Sequence, residues 1–365
     1  MKITIQQSIL HDRLSHICKA VSKKPTIPVL EGVKIDSRGT LTITGTDMHF
    51  SAQTTISDFQ EDAPGIAVIP AHKLADAVAK FPSKDVTIEV KDGAALITCG
   101  KKEVTIATLD VEDYPAVEEG EGTLLPLSTE DFVGSIEQVA IAVSTSEQTP
   151  QLQGINYRLM HGVLRVTATD RHRLARQDIK LEDLTEYIDR TIQAKSLLDV
   201  AKAATKGKVD GVDLTLGERL AHIKVGEYSY TLRLLDGQYP DTSKIVSSSG
   251  EHIIVLEREG LIDSLELAFK VADKRTSIIG LTVAENAFTI SAQVEGYNMS
   301  ETLAAQYSGA GIKLSLNAKF LLDALKVISS KRVEVFMNGP LSPILIHPEQ
   351  DRESLHLILP YRTTG

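Results

Sequence analysis

The eight residues Ala168 to Ala175 read A-T-D-R-H-R-L-A, and they close a strand pattern in which Leu164, Val166 and Ala168 alternate with Arg165, Thr167 and Thr169. Asp170 to Arg173 interrupt that alternation with four polar or charged side chains, and apolar character resumes at Leu174. The pattern predicts a strand feeding a tight, charged turn. Leu41 to Gln53, L-T-I-T-G-T-D-M-H-F-S-A-Q, has the same strand, the same Thr-Asp and the same return to apolar residues. A chemical reading makes Asp170 and His172 a general acid/base group of a hydrolase. Recurrence of Thr-Asp favours a structural device that the chain uses more than once.

Outward from these turns the order of elements restarts twice. In the first stretch a helical pattern covers Ser8 to Lys24 and is stopped by Pro25 and Pro28. Strands are expected at Val29 to Ile35, Leu41 to Gln53 and Gly65 to Ile69, then a helix at Ala71 to Phe81, then strands at Val86 to Val90, Ala95 to Cys99 and Val104 to Leu109. Asp110 to Leu127 is acidic, rich in turn formers and aperiodic at its centre, and reads as a junction. A helix over Phe132 to Val143, a strand pair over Gly154 to Gln177, a helix over Lys195 to Thr205 and three strands from Val212 to Leu234 repeat the order. The closing L-L-D-G-Q-Y-P-D of this stretch matches T-L-D-V-E-D-Y-P of the first, and Ser247 to Gly250 form a second junction. The third stretch has helices at Leu261 to about Arg275 and Asn317 to Ser330, with strands between and after them.

The helices make the repeat plainest: A-H-K-L-A-D-A-V-A-K, A-K-S-L-L-D-V-A-K-A and A-K-F-L-L-D-A-L-K-V place Asp76, Asp199 and Asp323 at intervals of 123 and 124 residues. A period of this length is too long for a solenoid and long enough for a domain. The expected fold class is α+β, in three similar domains, 1–121, 122–246 and 247–365, each with two helices packed on antiparallel sheet.

Composition excludes several functional classes. No run of about 18 apolar residues predicts a membrane helix. The start, M-K-I-T-I-Q-Q-S, has no apolar segment or cleavage site behind its lysine, so a cytoplasmic protein is expected. Two cysteines, Cys18 and Cys99, make no disulfide framework, and the histidines have no metal-ligand spacing. Without a phosphate-loop motif either, no cofactor and no metal are expected.

The net charge of -10 looks unfavourable for nucleic acid until it is sorted by element. In the six helical segments with their end residues, 18 Lys and Arg stand against 9 Asp and Glu, while the remainder holds 21 against 40. Helices therefore carry about +9 and strands and loops about -19. The first helix of the second stretch departs from this, with Asp131 and Glu137 as its only charges. Lys23, Lys24, Lys73, Lys80, Lys195, Lys202, Lys206, Lys274, Arg275, Lys319, Lys326 and Lys331 make a surface suited to phosphates rather than base edges.

Three similar α+β units, basic helices, K-P-T-I-P-V-L, A-T-D-x-H-R-L-A, Y-P-D and a terminal L-P-Y-R together resemble the bacterial DNA sliding clamps, the β subunits of DNA polymerase III. The resemblance spans essentially the whole chain. It implies the DNA clamp fold and a homodimer whose six domains form a ring around double-stranded DNA, with the helices inward. The implied function is a non-catalytic, sequence-independent processivity factor that slides on DNA and tethers the DNA polymerase III catalytic subunit, the clamp loader and other clamp-motif proteins. It also implies a peptide pocket lined by Leu152, Thr169, His172, Arg173, Leu174, Pro240, Lys244, Ile245, Asn317, Phe320, Pro343, Leu359, Pro360, Tyr361 and Arg362. Arg171 stands where the family usually has glycine, putting a long cation at the pocket mouth, and Thr363 to Gly365 extend past the usual terminal arginine. Dimer contacts are implied at Val104 and Ile106 on one face and Phe269 and Val271 on the other.

Three other functions compete with this one. A DNA-binding protein without ring closure would use the same basic helices. A hydrolase would need partners for Asp170 and His172 that the sequence does not offer, and a base-reading protein would need a helix-turn-helix or zinc-finger spacing that is absent.

Overall fold

The structure is a computed structural model that describes residues 1–118, 120–243, 245–246 and 252–361. Among the described residues the six α-helices are α1 (Gln7–Ile17), α2 (Ala71–Ala79), α3 (Thr129–Ala140), α4 (Ala194–Gly207), α5 (Arg258–Val271) and α6 (Ala318–Val327). Contacts divide the chain into two compact units, Met1–Val133 with Lys195–Leu234, and Gly134–Ala194 with Leu235–Gly365.

The first unit holds two sheets, all of whose pairings are antiparallel. One is five-stranded, in the order Gln60–Ala63, Lys2–Gln6, Asp85–Lys91, Ala94–Cys99, Lys102–Ala107. The other is eight-stranded, running Thr123–Ser128, Gly211–Leu216, Leu220–Val225, Tyr228–Arg233, Phe50–Ile56, Leu41–Thr46, Gly32–Asp36, Ile66–Pro70. At its centre Phe50–Ile56 of the first repeat pairs with Tyr228–Arg233 of the second, so the sheet is continuous across a repeat boundary. The faces of α1 and α2 that bear Leu10, Leu14, Ile17, Leu74 and Val78 are buried, as their helical spacing predicts. Gly45 lets the end of α1 approach the sheet, since a Cβ there would lie 2.8 Å from Ile17 Cγ2 and Val21 Cγ2.

The second unit is built the same way. Its eight-stranded sheet runs Ile188–Gln193, Gly154–Met160, Val163–Thr169, Arg173–Lys180, Ser354–Ile358, Ile344–Pro348, Arg332–Met337, His252–Glu257. Its four-stranded sheet runs Tyr297–Ala304, Ala287–Val294, Ile278–Ala284, Ile312–Asn317. Here Arg173–Lys180 of the second repeat pairs with Ser354–Ile358 of the third. The apolar residues of α5 and α6, including Leu261, Leu265, Leu321 and Leu325, form one core with the sheet residues Phe288, Ile290 and Val333.

Several boundaries differ from the sequence reading. Val29 is not in a strand: Pro28 starts a short 3-10 turn, Pro28–Glu31, and pairing begins at Gly32. Leu41 to Gln53 is two strands, and Gly154 to Gln177 spans three, because each Thr-Asp turn reverses the chain. The acidic junction ends early, with Thr123–Ser128 forming an edge strand that tolerates Pro126. Each repeat opens with a strand absent from the sequence reading, Lys2–Gln6, Thr123–Ser128 and His252–Glu257. The second junction, Ser247 to Gly250, lies outside the described residues.

Candidate functional site

The two Thr-Asp turns are built by the same hydrogen bonds. Thr169 Oγ1 accepts from the Arg171 N–H at 3.2 Å, and Asp170 Oδ1 accepts from the N–H groups of His172 and Arg173, both at 2.9 Å. In the first repeat Thr46 Oγ1 accepts from Met48 at 3.0 Å, and Asp47 Oδ1 accepts from His49 and Phe50 at 2.9 and 2.7 Å. Met48 and Arg171 share a left-handed φ of 75° and 76°. That conformation costs a residue with a Cβ, and the side-chain-to-backbone bonds on either side hold it. Both turns then receive the neighbouring repeat: Arg233 donates its backbone N–H to His49 O at 2.8 Å, and Leu359 donates to His172 O at 2.9 Å. In both turns the aspartate Oδ1 is therefore engaged in holding the turn.

The turns differ in what flanks them. Across the first junction Ser51 stands opposite Thr231, and both are hydrogen-bonded, Ser51 to Thr46 and Thr231 to His222. Across the second, Leu174 stands opposite Leu357. These two leucines belong to a cluster with Phe336, Leu345 and Leu355, against which Val246 packs. Beside this cluster lie exposed apolar side chains, Ile245 (48% exposed), Leu359 (39%) and Tyr361 (52%). The result is an apolar floor at one junction where the other is polar.

The other described residues proposed for the pocket all belong to the second unit. Thr169 is buried and its N–H donates to the hydroxyl of Tyr239, which precedes Pro240. Leu152 is buried in the 3-10 turn Pro150–Gln153. Pro343 is half-buried and precedes Ile344, the partner of Ile358. Asn317 caps α6, accepting from the N–H groups of Lys319 and Phe320. Pro360 is half-buried, and Tyr361 donates its N–H to Ser315 O at 2.7 Å. Arg171 and His172 are exposed. Lys244 and Arg362 lie outside the described residues.

Arg173 is half-buried and tightly partnered. Its guanidinium lies 4.4 Å from the centre of the Phe320 ring and donates to Asp170 Oδ2 at 3.0 Å and Asp323 Oδ2 at 2.8 Å. Deeper in the unit His356 Nε2 meets Gln138 Oε1 of α3 at 3.0 Å, and Gln138 Nε2 donates to Val327 O of α6 at 2.8 Å. Burial, reinforced by His347 and Arg173, pushes the His356 pKa down to about 3, so the ring is neutral and Nε2 donates. The sequence pattern does not single out Leu357, His356 and Gln138, and it marks Asp323 only as a member of the repeat. Leu355 and Leu357 share the strand alternation of Leu359, a signal that becomes usable once the last strand is located.

All twelve proposed phosphate-facing cations are exposed. The helices, however, are shorter than their patterns. Lys73, Lys195, Lys202, Lys206, Lys319 and Lys326 lie on helices, Lys80 caps α2, and Lys23, Lys24, Lys274, Arg275 and Lys331 lie in the chain beyond helix ends. Three of the helical lysines meet carboxylates: Lys206 reaches Asp12, Lys319 reaches Asp323 and Lys326 reaches Glu266.

Two strands, Lys102–Ala107 and Tyr297–Ala304, stand at the edges of their sheets. Val104 is half-buried and Ile106 is 6% exposed. Phe269 is 39% exposed and Val271 packs on the core. The larger exposed groups here are ones the sequence reading missed, Leu267 at 50% and Tyr297 at 70%. Among the described residues no group of His, Cys, Asp or Glu could hold a metal ion, and no helix is long and apolar enough to cross a membrane.

Sequence models of the N-terminal, central and C-terminal domains of the DNA polymerase III beta subunit match residues 1–118, 126–241 and 244–362. A beta sliding clamp of Staphylococcus aureus is 30% identical, and one of Staphylococcus epidermidis 31%, over 376 aligned residues covering the whole of both chains. A DNA polymerase sliding clamp structure from Pseudomonas aeruginosa superposes with a TM-score of 0.94 at 26% identity, covering all of both chains. One from Bacillus subtilis gives 0.93 at 31%, covering 100% of this chain and 99% of that one. From these matches, which leave no repeat unaccounted for, the chain belongs to the DNA polymerase III beta subunit family.

Proposed function

We propose that this protein is a DNA sliding clamp, a non-catalytic processivity factor that encircles double-stranded DNA as a homodimer and tethers DNA polymerase III. The observation that carries the reading is the sorting of charge, with an excess of exposed cations on and beside helices in a chain whose strands and loops are acidic. Loose contact with phosphates suits sliding, because it carries no sequence information. The domain boundaries proposed are 1–121, 122–246 and 247–365, from the three repeats of the sequence.

The pocket proposed for partner peptides is the apolar floor at Leu174 and Leu357, walled by His172, Arg173 and Phe320 and edged by Ile245, Leu359 and Tyr361. An extended peptide suits it, since apolar anchors can enter beside Leu174 while Arg171 and His172 meet polar groups at the mouth. The polymerase catalytic subunit, the clamp loader and other clamp-motif proteins are the partners proposed.

Ring closure follows the internal symmetry. In each of the first two repeats the strand after the Thr-Asp turn pairs with the last strand of the next repeat. The third repeat's strand Tyr297–Ala304 and the first repeat's last strand Lys102–Ala107 are the remaining members of that set, and each is an edge. Gly45, Ala168 and Ala292 occupy the same place in the preceding strands and stand opposite Ala52, Ala175 and Met299. Ala52 and Ala175 in turn face Tyr230 and His356. Val104 holds the position of Tyr230, third in a strand that follows a Gly-led two-residue turn. The register proposed therefore sets Met299 opposite Val104 of a second copy, Tyr297 opposite Ile106 and Glu301 opposite Lys102, an oppositely charged pair.

Retention on DNA tests the whole reading. Once loaded by its clamp loader, the protein is expected to stay on a nicked circle and to be lost when the circle is linearised. Equal retention on both forms would sink enclosure.

A further inference from the structure

Asp323 Oδ2 serves two cations at once. Arg173 Nη1 and Lys319 Nζ each donate to it at 2.8 Å. The two cations are differently held. Arg173 is stacked on Phe320, bonded to Asp170 as well, and its side chain is 12% exposed; that of Lys319 is 57% exposed on the first turn of α6. An anion arriving from solvent can draw Lys319 away, whereas Arg173 cannot follow. While Lys319 is present, the two positive charges repel across a single oxygen and share its lone pairs, so each weakens the other's bond.

We propose that Asp323 is a positioning residue that makes the peptide pocket sensitive to DNA. When a backbone phosphate takes Lys319, Asp323 is left to Arg173 and fastens the Asp170–Leu174 turn more firmly to α6. The pocket wall is then better ordered and binds peptide more tightly. By linkage, peptide in the pocket favours release of Lys319 to phosphate by the same factor. The device is confined to this junction. Lys195 and Asp199 repeat the helix pair in α4, but the residue in the place of Arg173 is Phe50, which has no charge to share. The inference rests on the pocket and on α6 facing DNA, as proposed above.

An exposed ion pair one helical turn apart changes an equilibrium about twofold, which sets the size expected. The probe is a fluorescein-labelled clamp-motif peptide from the polymerase III catalytic subunit, titrated by anisotropy against free clamp and against clamp loaded on a nicked circle. Wild type is expected to bind about twofold tighter on the circle. Lys319→Gln, a change at an exposed position, is expected to bind in free solution as tightly as loaded wild type, with no further gain from DNA. Asp323→Asn is expected to weaken binding about fivefold in both states and to show no DNA effect. A DNA effect undiminished in Lys319→Gln, or none in wild type, would overturn the inference. Wild type that binds no peptide, or leaves the circle, overturns the pocket or the enclosure reading and this inference with it.

Discussion

Leu174 and Leu357 face each other across strands from different repeats, at a position that Ser51 and Thr231 occupy one repeat earlier. That exchange of hydroxyls for apolar side chains, together with Arg173 in the place of Phe50, distinguishes the second junction from the first. Leu174→Ala, at a position only 3% exposed, is expected to cost about 2–5 kcal/mol of stability. Leu359→Ser, at an exposed position, is expected to cost under ~1 kcal/mol. Both should weaken binding of a clamp-motif peptide more than about tenfold without changing the dimer mass by light scattering. Unchanged peptide affinity in both would refute the pocket.

Charge reversal tests the edge-strand register. Glu301→Lys or Lys102→Glu alone sets like charges opposite one another and is expected to weaken the dimer by ~1 kcal/mol or more, roughly fivefold to tenfold. The double reversal is expected to restore it, read by sedimentation across a concentration series. Lys102 also donates to the carbonyl oxygen of Lys80 at 2.6 Å, so its single replacement should loosen that edge as well. Failure of the double variant to recover would exclude this register.

Phosphate contact should appear in the salt dependence. Replacing Lys73, Lys195 and Lys202 by glutamine is expected to lower the slope of log affinity against log salt by about 0.9 for each lysine that meets a phosphate. Duplexes of different sequence should respond alike. A slope that does not move would take these three lysines off the DNA-facing surface.

His356 couples the second unit to acid. Its pKa is about 3 when folded, because burial, with His347 and Arg173 adding to it, disfavours the cation. Between the ordinary histidine value near 6.5 and about 3, the unfolded chain binds a proton that the folded chain refuses, so stability rises with pH. Acidification from pH 6 to 5 should cost about 1 kcal/mol through this group. His16 and His347 are also lowered by burial and act in the same direction. His356→Gln, which keeps a donor for Gln138, is expected to flatten the pH dependence of the urea midpoint below pH 6.5. An unaltered slope would show that His356 is not held neutral.

The sequence by itself determined what depends on near neighbours. The threefold period, the buried faces of the helices and the Thr-Asp turns are all written in residues within a few positions of one another, because helical spacing and side-chain-to-backbone bonds are local. Resemblance supplied the outline of the proposed pocket, including Arg173, Leu174 and Phe320. Only the tertiary structure decided which strands meet across repeat boundaries, and hence that Leu357 faces Leu174, that Gln138 reaches His356 across 218 residues and that Arg173 reaches Asp323 across 150. Such contacts are fixed by pairing between strands far apart in the chain, and no local pattern encodes them. The A-T-D-R-H-R-L-A turn was legible as a turn from its own eight residues; that its arginine shares a carboxylate with a lysine on α6 was not.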